Sequence, residues 1–188
     1  MAIQVTVPPT VEPVPLALAK LHLRVDSADE DVLIANIIAA ARSHCERFCR
    51  KTFPVTTYKL TVDQFPAGMQ PLAIPYPPLA SVTSIIYTDA GGVSQTLSAS
   101  DYTVDTQSEP ARITPAWSKV WPFARGHTND VAITFVAGSA TYPPSVVQAM
   151  LLLIGHWYEH RESVVVGSIN STLADAVESL LWNERIEV

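Results

Sequence analysis

Apolar residues recur at three- and four-residue spacing along one stretch of the chain: Ile34, Ile37, Ile38, Ala41, Cys45 and Phe48. That stripe predicts a helix with one buried face. Ser27-Ala28-Asp29-Glu30 ahead of it has the form of a capping box, with Ser27 accepting from the third amide and Glu30 reaching back. Asp29, Glu30 and Asp31 suit the positive end of the helix dipole, and Arg47, Arg50 and Lys51 the negative end. A shorter amphipathic stretch, Leu16, Leu18, Ala19, Leu21 and Leu23, follows Pro15, a residue that fits a first helical turn. Two helices are expected within 15–52.

The period then changes. Between 53 and 140, β-branched residues alternate with polar ones, and Pro, Gly and Asp punctuate them. The runs 57–62, 82–87 and 131–136 predict strands, with shorter ones at 72–74, 102–104 and 112–114. Asp89-Ala90-Gly91-Gly92 is a hairpin turn signal. A small, mostly antiparallel sheet of five to seven strands is expected. Pro143-Pro144 restores the helical period through Val147, Met150, Leu151, Ile154, Trp157 and Tyr158, a helix apolar almost all round and so buried on most sides. A loop over 163–172 and a last short helix over 173–182 follow. Residues 1–14 contain Pro8, Pro9 and Pro13 among valines and threonines, which predicts an extended arm. The expected fold class is α+β. It is one domain over 1–188, with a helical core from 15–52 and 143–188 (two N-terminal and two C-terminal helices). A mostly antiparallel β subdomain, 53–140, is inserted in that core.

Composition narrows the function. The 188 residues are 48% hydrophobic and only 16% charged, which excludes intrinsic disorder and implies surface covered by something other than water. With 12 basic and 18 acidic residues the net charge is −6, unsuited to tight wrapping of nucleic acid. Cys45 and Cys49 sit four apart on the predicted helix, an awkward spacing for a bridge, and read as reduced core thiols. The N-terminus lacks the basic start and apolar run of a signal peptide, and the longest apolar run falls far short of the roughly 20 residues that span a bilayer. A protein neither exported nor embedded in a membrane is expected.

His156-Trp157-Tyr158-Glu159-His160 matches the inverted zinc-protease pattern, with two histidines on one helix face and Glu159 as general base. No third ligand stands in a recognisable motif downstream, so a helix end with cationic groups near its negative dipole explains the same residues. His44 beside Cys45 and Cys49 lacks a second ligand pair and reads as core. Arg47, Arg50 and Lys51 form a basic cluster that helix-end complementarity accounts for, with phosphate binding as the alternative. Trp117 and Trp121, flanked by Pro115 and Pro122, suit either a subunit contact or packing within the domain. No glycine-rich phosphate loop, nucleophile elbow or acidic metal-binding motif is visible, and no catalytic residue, metal or cofactor is expected.

The ordered set of these pieces resembles the head–tail connector (adaptor, or head-completion) proteins of long-tailed phages and prophages. The resemblance runs through Pro15 to Asp26, Asp29-Glu30-Asp31, Leu33-Ile34, Ala40-Ala41-Arg42 and Glu46. It resumes at 77–85, 102–105 and 110–113, and closes with Phe135-Val136-Ala137-Gly138 and 156–162. It implies a structural virion protein of the head–tail junction, made in the host cytoplasm, and not an enzyme. Such proteins form a ring of about twelve copies on the portal. They extend its DNA channel without binding DNA specifically, and offer a docking surface to neck or tail-completion proteins. The alternatives are a tail-completion or terminator ring protein, or a zinc hydrolase using His156, Glu159 and His160. The apolar segments without an evident partner supply the candidate assembly contacts: Val5, Val7 and Val11 in the arm, Trp117 and Trp121, Val164, Val165 and Val166, and Leu181 and Trp182.

Overall fold

Helix α2 (Asp31–Cys49) buries Ile34, Ile38, Ala41 and Cys45 of the expected stripe, and Cys49 with them, while Ile37 and Phe48 are partly buried against the same core. Around it pack α1 (Leu16–Leu23), α3 (Pro144–Glu159) and α4 (Asn170–Leu181). The computed structural model describes residues 1–160 and 170–186. By contact the chain forms two compact units, Thr10–Phe53 with Ala140–Val188 and Met1–Pro9 with Pro54–Ser139. The fold is α+β.

In the helical unit, α3 contributes Val146, Ala149, Met150, Leu151, Leu153 and Ile154 to the core, and α4 contributes Val177 and Leu181. Fully burying one such side chain is worth about 1.5–3 kcal/mol. The expected capping box does not form. The helix begins at Asp31, so Ser27 falls outside it; its hydroxyl accepts from the Asp29 amide at 3.2 Å, and Glu30 occupies the N-cap without capping it through its side chain. The Glu30 carboxylate accepts a hydrogen bond from the Tyr158 hydroxyl. A half-buried charge network holds segments distant in sequence together. Arg42 donates to Glu12 and to Glu46, both at 2.8 Å, and Glu46 also accepts the Phe53 amide at 3.0 Å. Burial pushes the Glu46 carboxyl up, against the Phe53 amide and Arg42, which pull it down. Cys45 and Cys49 are free and buried; burial pushes their thiols up to about 12 and about 11.

The β unit differs from the expected single sheet. Eight strands are present among the described residues: β1 (Ala2–Val7), β2 (Thr56–Val62), β3 (Leu72–Ile74), β4 (Leu79–Thr88), β5 (Ser94–Thr96), β6 (Tyr102–Asp105), β7 (Ala111–Pro115) and β8 (Val131–Ala137). They form a five-stranded sheet in the order β1-β2-β8-β4-β5 and a three-stranded sheet in the order β3-β7-β6. Every pairing is antiparallel. Strand β8 alternates buried and half-buried residues along its whole length, and its Ile133 and Phe135 share a core with Leu60 of β2 and Ile85 of β4. The 89–92 turn forms as expected: Asp89 accepts the Gly91 and Val93 amides through its side chain, and Gly92 takes the positive φ of 82° that the turn requires.

The extended arm expected over 1–14 is corrected. Residues 2–7 pair with β2 as an edge strand, Ile3 opposite Leu60 and Val5 opposite Tyr58. Val14 is fully buried in the helical unit. For residues 2–7 the cause is local: an apolar β-branched run pairs with the open edge of a strand in its own chain. The valine run 164–166, expected in a loop, lies outside the described residues.

A chain lacking 1–9 and carrying a short Gly/Ser linker in place of 54–139 is expected to retain a helical far-ultraviolet circular dichroism spectrum. A coil spectrum would mean that the helical unit needs the sheets in order to fold.

Candidate assembly surface

The segment after β7 carries the largest exposed side chain of the β unit. Its first turn is fixed by backbone bonds, Ala116 N–H to the Asp101 carbonyl and Lys119 N–H to the Ala116 carbonyl, both 2.9 Å. Ser118 within it adopts φ 61°. Trp117 projects from this turn 94% exposed, and Val120 and Phe123 follow it into solvent. Trp121 does the opposite. Its ring stacks on Phe65 at 5.0 Å and 8°, its indole N–H donates to the Gln70 carbonyl at 2.8 Å, and it is 8% exposed. Trp121 is therefore an intradomain packing residue, which corrects its place among the assembly contacts; a satisfied indole N–H over a stacked ring is a buried aromatic's usual solution. Together 64–68 and 120–124 line an open cleft of about 460 Å³.

The far end of this segment is held by Asp130, a buried carboxylate. It accepts the His127 amide at 2.6 Å and the Arg125 guanidinium at 2.9 Å, while the Arg125 amide donates to the Thr88 carbonyl. The Arg125 guanidinium first, then the His127 amide, holds the Asp130 carboxyl below the usual carboxylate range.

The other candidates divide in the same way. Val5 and Val7 remain exposed although they lie in a strand, and Val11 is exposed too. Leu181 is fully buried in the helical core, so it too is corrected; it is the last inward position of α4. Trp182, the next residue, is 57% exposed, with the Arg185 guanidinium 5.7 Å from its ring and 5.6 Å from that of Phe48. Val164, Val165 and Val166 lie outside the described residues. Sequence reasoning missed Val120 and Phe123, whose flanking of Trp121 was the available signal. It also missed Leu21, which α1 turns outward beside Lys20 and Arg24 in an open groove.

The residues that suggested chemistry occupy structural places. His156 and His160 stack at 4.5 Å, and among the described residues no group of three His, Cys, Asp or Glu side chains could hold a metal. His44 meets Trp157 edge-on at 6.0 Å. Of the basic cluster, Arg47 donates to the Ser43 carbonyl, Arg50 is the left-handed C-cap of α2, and Lys51 lies 3.9 Å from Glu184. No helix among the described residues is long and apolar enough to cross a membrane.

Residues 14–89, which hold α1, α2 and the strands β2 to β4, match the family model described as phage gp6-like head-tail connector protein. No curated protein matches the chain. Three solved structures share its fold over 100% of this chain and 97% of theirs. One is from the neck of an empty gene transfer agent particle computed with C6 symmetry, at 24% identity and TM-score 0.81. A second is from the virion of a native gene transfer agent particle, at 24% and 0.79, and the third from the neck of a native particle computed with C12 symmetry, at 22% and 0.78. The resemblance to the phage head–tail connectors is thus matched by the family model over 14–89, and the solved structures share the fold of the whole chain.

Trp121→Ala is expected to destabilise the protein by about 3–5 kcal/mol, as loss of a packed aromatic does. Trp117→Ala should change stability by no more than about 0.5 kcal/mol; denaturant unfolding of the two variants separates packing from surface. For Asp130 the sign follows from its depressed native pKa: its contribution is present above the ordinary carboxylate value of about 3.9 and is lost as pH falls through the native one. The melting temperatures of wild type and Asp130→Asn, well separated at pH 7, should converge as the pH falls below about 4.

Proposed function

We propose that this chain is a head–tail connector that closes into a ring beneath the portal of a phage-like particle. It extends the DNA channel there and presents the docking surface for the next neck or tail-completion protein. The observation that carries this reading is the connector-family match over 14–89, in a chain whose whole length has the fold of neck proteins. The relatives' particles, one computed with C12 symmetry, favour a ring of about twelve copies. Composition favours it as well. A net charge of −6 lets DNA pass a channel wall without adhering. Trp117 and Phe123 in the β unit and Trp182 in the helical unit are exposed aromatics, the side chains that interfaces use as anchors. The protein resides at the head–tail junction of the virion after synthesis in the host cytoplasm. No chemical step is assigned to His156, Glu159 or His160.

Mixed with portal particles, the chain is expected to bind at about twelve copies per portal and to appear as a ring end-on in negative-stain images. Trp117→Ser and Trp182→Ser should each weaken binding by about tenfold or more, the loss of about 1.4 kcal/mol. Failure of the wild-type chain to join portal particles at any concentration would overturn the connector reading; full binding by both variants would remove these two side chains from the contact.

A further inference from the structure

The five-stranded sheet is open along two edges. Strand β1 borders β2 alone. Strand β4 lies against β8 from Leu79 to Tyr87, but β5 covers its other side only from Ile86 to Thr88. The Leu97 amide extends that cover to the Ile85 carbonyl. Residues 79–84 have no strand on that side among the described residues, and Ala80, Ser81 and Thr83 are exposed.

The two open stretches are matched. Each is six residues long, Ala-Ile-Gln-Val-Thr-Val in β1 and Leu-Ala-Ser-Val-Thr-Ser in β4, and neither contains a charge. Soluble proteins usually guard such edges with lysine, proline or an inward charge, because an unguarded row of amides and carbonyls pairs with another chain. Here the first charged side chain is Glu12, and Pro8 and Pro9 stand beyond the strand's end. The register shifts that both strands carry, at Val5/Val7 in β1 and at Leu79/Ser81 and Val82/Ser84 in β4, twist these edges but leave them uncovered.

Direction completes the match. β1 is antiparallel to β2, β2 to β8 and β8 to β4, so β1 and β4 run in opposite senses. A second copy repeated along the sheet brings its β1 antiparallel beside residues 79–84 of the first. We infer that the outer edge of β1 in one copy pairs with residues 79–84 of β4 in the next copy, joining neighbouring subunits through a shared antiparallel sheet. This inference rests on the ring reading above and names the strands that make the ring. The contact is head-to-tail, the kind that closes into a ring when each step rotates; pairing of two β1 edges about a twofold axis would stop at a dimer and leave both β4 edges open.

Two measurements test it. Chains carrying Gln4→Cys, mixed with chains carrying Ser81→Cys, should give a cross-linked dimer with a short bismaleimide, while neither chain alone should. Cys45 and Cys49 are buried and do not interfere. A dimer from Gln4→Cys alone, or none from the mixture on assembled portal particles, overturns the pairing. In the second measurement, Val5→Lys with Val7→Lys should raise the concentration needed for ring assembly at least tenfold with the circular dichroism spectrum unchanged. Adding Ala80→Glu and Thr83→Glu to the same chain should restore assembly. Rings formed by the lysine variant at the wild-type concentration would sink the edge pairing and leave the ring reading intact. If the wild-type chain forms no ring alone or on the portal, the ring reading fails and the pairing fails with it.

Discussion

The antiparallel pairing of β2 with β8 is the interaction on which the rest of the architecture depends. Thr56 lies opposite Ala137 and Val62 opposite Val131, so strands some seventy residues apart in sequence are matched over their full length. Their register places the point where the chain enters the sheet beside the point where it leaves. The helical sequences on either side therefore flank a closed insertion, and the entropy of closing a long loop rises only slowly with its length. Strand β8 also carries β4 on its other side, and β2 carries β1, so the two open edges of the sheet exist only because this central pair is in place.

Each unit sorts its aromatic and aliphatic side chains by whether a partner lies within reach inside the same unit. Trp121 finds Phe65 below it and a carbonyl for its N–H, and is buried. Trp117, four residues earlier on a tight turn, finds neither. Leu181 points into the helical core and Trp182, one residue on, points out with the Arg185 guanidinium over its ring. The candidate contacts are thus thinned to those whose burial needs another molecule. They comprise the aromatics Trp117, Phe123 and Trp182, the residue type that anchors interfaces, and the exposed valines Val5, Val7 and Val11.

The charged groups drawn away from solvent follow the same logic. Half-buried Arg42 with Glu12 and Glu46, and buried Asp130 with Arg125 and the His127 amide, each tie a loop to an element. Cys45 and Cys49 are free thiols in the core, held in their protonated form by burial. The chain offers packing, fixed turns and open edges, which is the equipment of an assembly component.

Much of this was legible in the residues. The stripe from Ile34 to Phe48, the Pro143-Pro144 start, the strands at 72–74 and 131–136 and the Asp89 turn follow from period and local turn chemistry. Both act between neighbours a few residues apart. The family resemblance was likewise carried by short ordered pieces, and the match over 14–89 covers the earlier of them. What the residues could not decide were long-range choices: that 2–7 would pair with β2 as the edge strand of a sheet, that the strands would divide into two sheets, and that Ser27 would sit one turn short of the cap. Nor could they say that Trp121 and Leu181 would be buried while Trp117 and Trp182 were not. Local sequence shows that a side chain is apolar and roughly which way its element turns. Whether it meets a partner depends on which distant strand or helix arrives beside it, and only the tertiary structure settles that.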